Sequence, residues 1–122
     1  MRRTRAQRNA VAEKITSLER TFYGRGPRNV KVSVSDDDPI SLVVLSIDSL
    51  TVADAVLSER GHTDAVIHHH EALHEATKAE FLEAIESIVG SPVTAYLAQV
   101  HPTTGTAIRV FVFSDFIPEE QP

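Results

Sequence analysis

Between Gly61 and Gly90 lie 28 consecutive residues without glycine or proline. A run of that length without a breaker is long enough for a helix of about 40 Å, and the rest of the chain must pack around it. Val66, His70, Leu73, Thr77, Phe81, Ile85 and Ile88 recur along it at intervals of three and four, on one helical face. The spacing predicts a helix from about Asp64 to Val89, capped by Thr63 and stopped by Gly90 and Pro92.

The flanking segments have clear periods of their own. Residues 5–23 read as a helix with Val11, Ile15, Leu18 and Phe22 on its buried face, ended by Gly24 and Pro27. Val30, Val32 and Val34 alternate with polar residues, as in a half-buried strand. After the turn Ser35–Pro39, the strand Ile40–Ile47 is more uniformly apolar and therefore central. Thr51 and Asp54 have capping-box spacing and open a short helix to about Arg60. Val93–His101 and Thr106–Phe113 form a second hairpin around Pro102–Gly105. In the last strand Ile108, Val110 and Val112 face one side, and Ala107, Arg109, Phe111 and Phe113 the other. Both faces carry apolar groups, so helices or a second subunit should cover them. The fold class is α+β: an αββ-αββ order with a four-stranded, mostly antiparallel sheet and helices packed on one face. The expected organisation is one domain over 1–122, with a core at about 8–114, a basic arm at 1–7 and a loose polar tail at 115–122.

Composition narrows the function classes. The absence of cysteine excludes a disulfide scaffold and thiolate metal sites. The longest apolar run, Leu42–Leu45, is far too short for a spanning helix, so the chain is not expected to be membrane-inserted. With no apolar signal core behind the basic N-terminus, the expected location is cytoplasmic. Net charge is −5, but residues 1–31 hold nine basic residues and two acids, whereas 32–122 hold three basic residues and fifteen acids. A basic segment on an acidic body can bind an external anion or nucleic acid. No aromatic residue interleaves its first arginines to stack bases, so neutralisation of its own body or of a neighbouring subunit is preferred, and nucleic acid is not an expected partner.

Two sequence features carry possible chemistry. His70-Glu71-Ala72-Leu73-His74 spells H-E-x-x-H, which on a helix can hold Zn²⁺ between two imidazoles while the glutamate activates water. A third ligand is needed. Glu80 would sit about 9 Å along a continuing helix from His74, and His101 is reachable only through tertiary folding. Four of the six histidines fall at His68, His69, His70 and His74, an enrichment that makes the motif easy to reach by chance. His70 lies on the apolar stripe, where a hydrogen-bonded core or interface role suffices; packed at an interface, such imidazoles would titrate near pH 6.5. Asp36-Asp37-Asp38 lacks the alternating ligands of a Ca²⁺ loop and reads as a solvated turn.

The second feature is Gly24-Arg25-Gly26-Pro27. Followed by Val30, a hairpin, Leu50-Thr51 and Leu57, it resembles the small bacterial MpsC-like family. The second half is similar as well, through Phe81, Leu82, Ile85, Glu86, Gly90, Val93, Leu97 and the closing strand Arg109–Phe113, so the likeness spans about 8–114. Asp54 stands where that family usually has Glu, Arg60-Gly61-His62 where a Gly-Arg pair is common, and the histidines where a basic residue is usual. The resemblance implies an accessory role beside a Na⁺-translocating, membrane-potential-generating system. It makes Gly24, Arg25, Gly26 and Pro27 the candidate binding residues. The residues themselves read in preference as a helix C-cap followed by a strand entry, with Arg25 solvated or paired to an Asp. The expected function is a non-enzymatic accessory or scaffold domain acting by homodimerisation and protein contacts. No catalytic residue, cofactor or metal is assigned. The alternatives are a compact zinc hydrolase and an anion or nucleic-acid binder.

Overall fold

The computed structural model describes residues 5–114, so residues 1–4 of the expected arm and the tail at 115–122 lie outside the described residues. Seven elements follow in chain order: α1 (Arg5–Tyr23), β1 (Asn29–Ser35), β2 (Ser41–Ile47), α2 (Val52–Glu59), α3 (Thr63–Val89), β3 (Val93–Val100) and β4 (Ala107–Phe113). The order is as expected from the periods, with the second helical half divided into α2 and α3. The four strands pair in the order β1-β2-β4-β3, and every pairing is antiparallel. β2 is therefore internal, as its uniform apolarity implies. α1 packs on α3 and β1, while α3 also packs on β3 and α2. The helices thus cover one side of the sheet.

Register fixes which residues meet that layer. Val44 stands opposite Arg109, Leu42 opposite Phe111, and Phe111 opposite Tyr96. Directly paired residues share a face. Leu42, Val44, Phe111 and Phe113 join Val11 and Ile15 of α1 and Phe81, Ile85 and Val89 of α3 in the main core. A smaller cluster of Leu50, Val66, Val100 and Ala107 lies near α2.

Helix boundaries follow local chemistry. Thr51 caps α2, and the reciprocal bonds of a capping box are present: the Asp54 amide donates to Thr51 Oγ1 (3.0 Å), and the Thr51 amide donates to the Asp54 carboxylate (3.2 Å). α3 ends at Gly90 in the left-handed region, φ 81°, which a side chain would resist. The expected Thr63 cap is not formed. His62 occupies the cap position without a side-chain hydrogen bond, and Thr63 is the first helical residue.

The buried face of α1 also departs from expectation. Val11, Ile15, Glu19 and Tyr23 are buried, whereas Phe22 is 37% exposed and Leu18 only half-buried. The helix turns its i, i+4 row inward because Glu19 and Tyr23 have polar partners on the sheet. In α3, Val89 rather than Ile88 completes the buried row.

Candidate functional site

The partner that draws α1 inward is Arg109. This residue lies on the core face of β4 and is 3% exposed, and Glu19 is fully buried. One terminal guanidinium nitrogen donates to Glu19 Oε2, the other donates to Tyr23 Oη (3.0 Å), and Nε donates to Tyr96 Oη (3.2 Å). The guanidinium carbon also lies 4.4 Å from the centre of the Phe81 ring, so its planar face is covered by an aromatic. Glu19 accepts two further bonds, from Ser46 Oγ and Ser49 Oγ, both 2.7 Å. Burial alone would make each charge unaffordable; direct pairing and these hydrogen bonds satisfy them. Burial acts to lower the Arg109 pKa, but Glu19 and the tyrosines more than reverse this and keep it cationic. Burial pushes the Tyr96 hydroxyl up to about 12 and raises Tyr23 as well, so both phenols stay protonated.

Two members of this network, Tyr23 and Arg109, line a cleft of about 470 Å³ between α3 and the β3–β4 hairpin. Tyr23, His70, His74 and Arg109 contribute polar groups, Ile67, Val100 and Ala107 apolar wall, and the exposed Glu71 and Glu75 also line it. The His74 ring lies 4.7 Å from Tyr96, which itself stacks on Phe111 at 4.5 Å. The His70 ring meets Tyr23 edge-on at 5.5 Å.

Beside the cleft, Asp54 joins α2 to α3. Its fully buried carboxylate accepts from His69 Nδ1 (2.6 Å) and His70 Nε2 (2.7 Å). Burial would raise the Asp54 pKa, but hydrogen bonds from His69, Thr51 and His70 overcome it and hold the carboxyl below its ordinary range. Burial lowers His70 despite Asp54, and it lowers His74 too. His70 is therefore a neutral ring that donates from Nε2 to a carboxylate.

The H-E-x-x-H residues are not brought together as a peptidase centre. His70 Nε2 is engaged by Asp54, and His74 lies against Tyr96. The trio of donor residues that converges among the described residues is Asp54, His69 and His70, so the motif names one of them and misses two. His101 bonds within its own turn, to Thr104. Asp36, Asp37 and Asp38 are exposed.

The Gly24-Arg25-Gly26-Pro27 loop is the connection from α1 to β1. Gly24 takes φ 86° directly after the helix. Arg25 pairs with Asp48 at 3.1 Å and donates to the Leu50 carbonyl, tying this loop to the end of β2. An external anion at Arg25 would have to displace Asp48.

Glu19, Arg109 and the Asp54–histidine contacts carry a faint sequence signal. Glu19 follows Val11 and Ile15 in the i, i+4 row, and Arg109 sits between Ala107 and Phe111 on the inward face of its strand. Two opposite charges on core positions imply each other as partners. Asp54 shows only as a capping residue.

No curated protein and no solved structure matches the chain. Among the described residues no helix is long and apolar enough to cross a membrane. A family model described as the Na⁺-translocating membrane potential-generating system MpsC matches residues 4–115, nearly the whole chain, and the protein belongs to that family.

Proposed function

We propose that the protein is a non-enzymatic accessory module that forms a homodimer through the bare face of its sheet and, as a dimer, contacts a further protein of a membrane-associated system. One observation carries this reading. The helices cover a single side of the sheet, yet the other side is apolar over three of its four strands: Val43 and Leu45 on β2, Ile108, Val110 and Val112 on β4, and Leu97 on β3. Leu97 is 62% exposed and Ile108 36%. A sheet covered on one side ordinarily turns polar residues to water. Here the polar positions fall on the two edge strands, Lys31 and Ser33 on β1 and Gln99 on β3.

The preferred occupant is a second copy. The patch has no charge of its own, with Lys31 and Ser33 at one margin and Gln99 at the other. A two-fold rotation would set apolar against apolar and leave the polar margins at the rim. Membership in a family named for a multicomponent system supports the accessory part of the reading, and the lack of cysteine fits a cytoplasmic setting.

Sedimentation equilibrium on the full chain tests the association. The wild type should show a concentration-dependent mass approaching two chains, and Leu97→Asp and Val110→Lys should each shift it to one chain with unchanged far-UV circular dichroism. A wild type that stays monomeric at every concentration, or variants that dimerise as well as the wild type, would refute the proposed interface.

A further inference from the structure

We infer that Asp54, His69 and His70 form a binding site for a divalent transition-metal ion of the zinc class, clamped between α2 and α3. One donor atom from each residue lies within 4.8 Å of the others. Two imidazole nitrogens and one carboxylate oxygen form a donor set suited to Zn²⁺ and its neighbours, and three protein ligands leave a fourth position for water.

The surroundings hold two of the ligands in place. Asp54 is fully buried in the first turn of α2, and the Thr51 amide grips its Oδ2. That backbone bond is the kind of outer contact that orients a ligating carboxylate. His70 is 8% exposed with its ring fixed edge-on against Tyr23. His69, in contrast, is 43% exposed and can adjust.

The present contacts of 2.6 and 2.7 Å are hydrogen bonds. Ligand atoms around a tetrahedral ion, with bonds of about 2.0–2.1 Å, sit roughly 3.3 Å apart. With Asp54 bound through Oδ2, the His70 contact opens by about 0.6 Å, and the exposed His69 ring, which now faces Oδ1, turns onto the same ion. Each imidazole would present the nitrogen now facing Asp54 as a lone pair. Its proton would move to the other ring nitrogen, so a neutral ring need lose no proton overall. Solvent reaches the site from the His69 side, where the water ligand would sit. The ion would replace two hydrogen bonds with coordinate bonds and pin α2, a helix of only eight residues that is too short to be stable by itself, onto α3.

This set differs from H-E-x-x-H, since it excludes Glu71 and His74. The two assignments make opposite predictions for the same variants. Untagged full-length protein, stripped with EDTA, is titrated calorimetrically with Zn²⁺, and Co²⁺ is added separately to read ligand-field absorption. The expected result is one ion per chain, with affinity reduced at least tenfold in His69→Gln and unchanged in His68→Gln and His74→Gln. Metal should also raise the melting temperature of the wild type, with that rise lost in His69→Gln. Asp54→Asn should lose binding too, but it also disturbs the capping box, so the exposed His69 is the decisive position. No binding by the wild type, unaltered binding in His69→Gln, or binding that needs His74 or His68 would overturn the assignment.

Discussion

Arg109→Met isolates the interaction on which the interior most depends. Arg109 is 3% exposed and its partner Glu19 is fully buried, so water cannot replace the lost cation. Met fills much of the volume of the aliphatic stem and can still pack on Phe81. What disappears is the charge, together with the donors to Tyr23 and Tyr96. Glu19 would remain with only the Ser46 and Ser49 hydroxyls as donors. Removing one member of a buried pair costs about 3–5 kcal/mol. That is a large part of the roughly 5–15 kcal/mol that holds a domain of this size together. At about 4 °C per kcal/mol it corresponds to a fall in melting temperature of about 12–20 °C. Glu19→Leu should cost a similar amount, because it strands the cation. The double variant Glu19→Leu/Arg109→Met removes both charges and leaves chiefly the two serine hydroxyls short of an acceptor, a loss of about 2 kcal/mol. The double variant should therefore be more stable than either single one, with a coupling energy of about 4 kcal/mol or more. The chain has no tryptophan, so urea unfolding is followed by far-UV circular dichroism. Losses that simply add in the double variant, or an Arg109→Met cost below about 1 kcal/mol, would show that the pair is not the buried, mutually dependent unit described here.

Two further outcomes follow from the same structure. Burial lowers the His70 pKa from its usual 6.5, so below that value the unfolded chain takes up a proton that the folded chain resists. Stability should hold above about pH 7 and fall as pH drops below 6.5, by at most about 1.4 kcal/mol per pH unit from this residue, with His74 contributing in the same direction. Asp54, held below its usual 3.8, adds a second loss when pH falls below about 4. Urea midpoints between about pH 8 and pH 5 check the first part, and a midpoint that rises on acidification would contradict the neutral, Asp54-bound state of His70. Separately, Gly90→Ala places a side chain at φ 81° with nothing nearby to clash, so the backbone conformation alone should cost about 1 kcal/mol in urea unfolding.

The local periods of this chain were enough to determine its elements. The Gly- and Pro-free run became α3, the valine alternation became β1, and Thr51 with Asp54 became a capping box, because each signal acts within a few residues of itself. The same alternation showed that β4 has two apolar faces. Partnership between distant residues was decided only in three dimensions. Arg109 meets Glu19 across 90 positions of sequence, and Asp54 reaches His69 and His70 across 15 and 16. Hydrophobic period could not rank Glu19 above Phe22 for the buried row of α1, since it counts a carboxylate as solvent-facing. Once Arg109 is folded onto the inner face of the sheet, the low dielectric of the interior reverses that order. The same tertiary step took His70 from the histidine motif that local spacing suggested and gave it to a carboxylate on another helix.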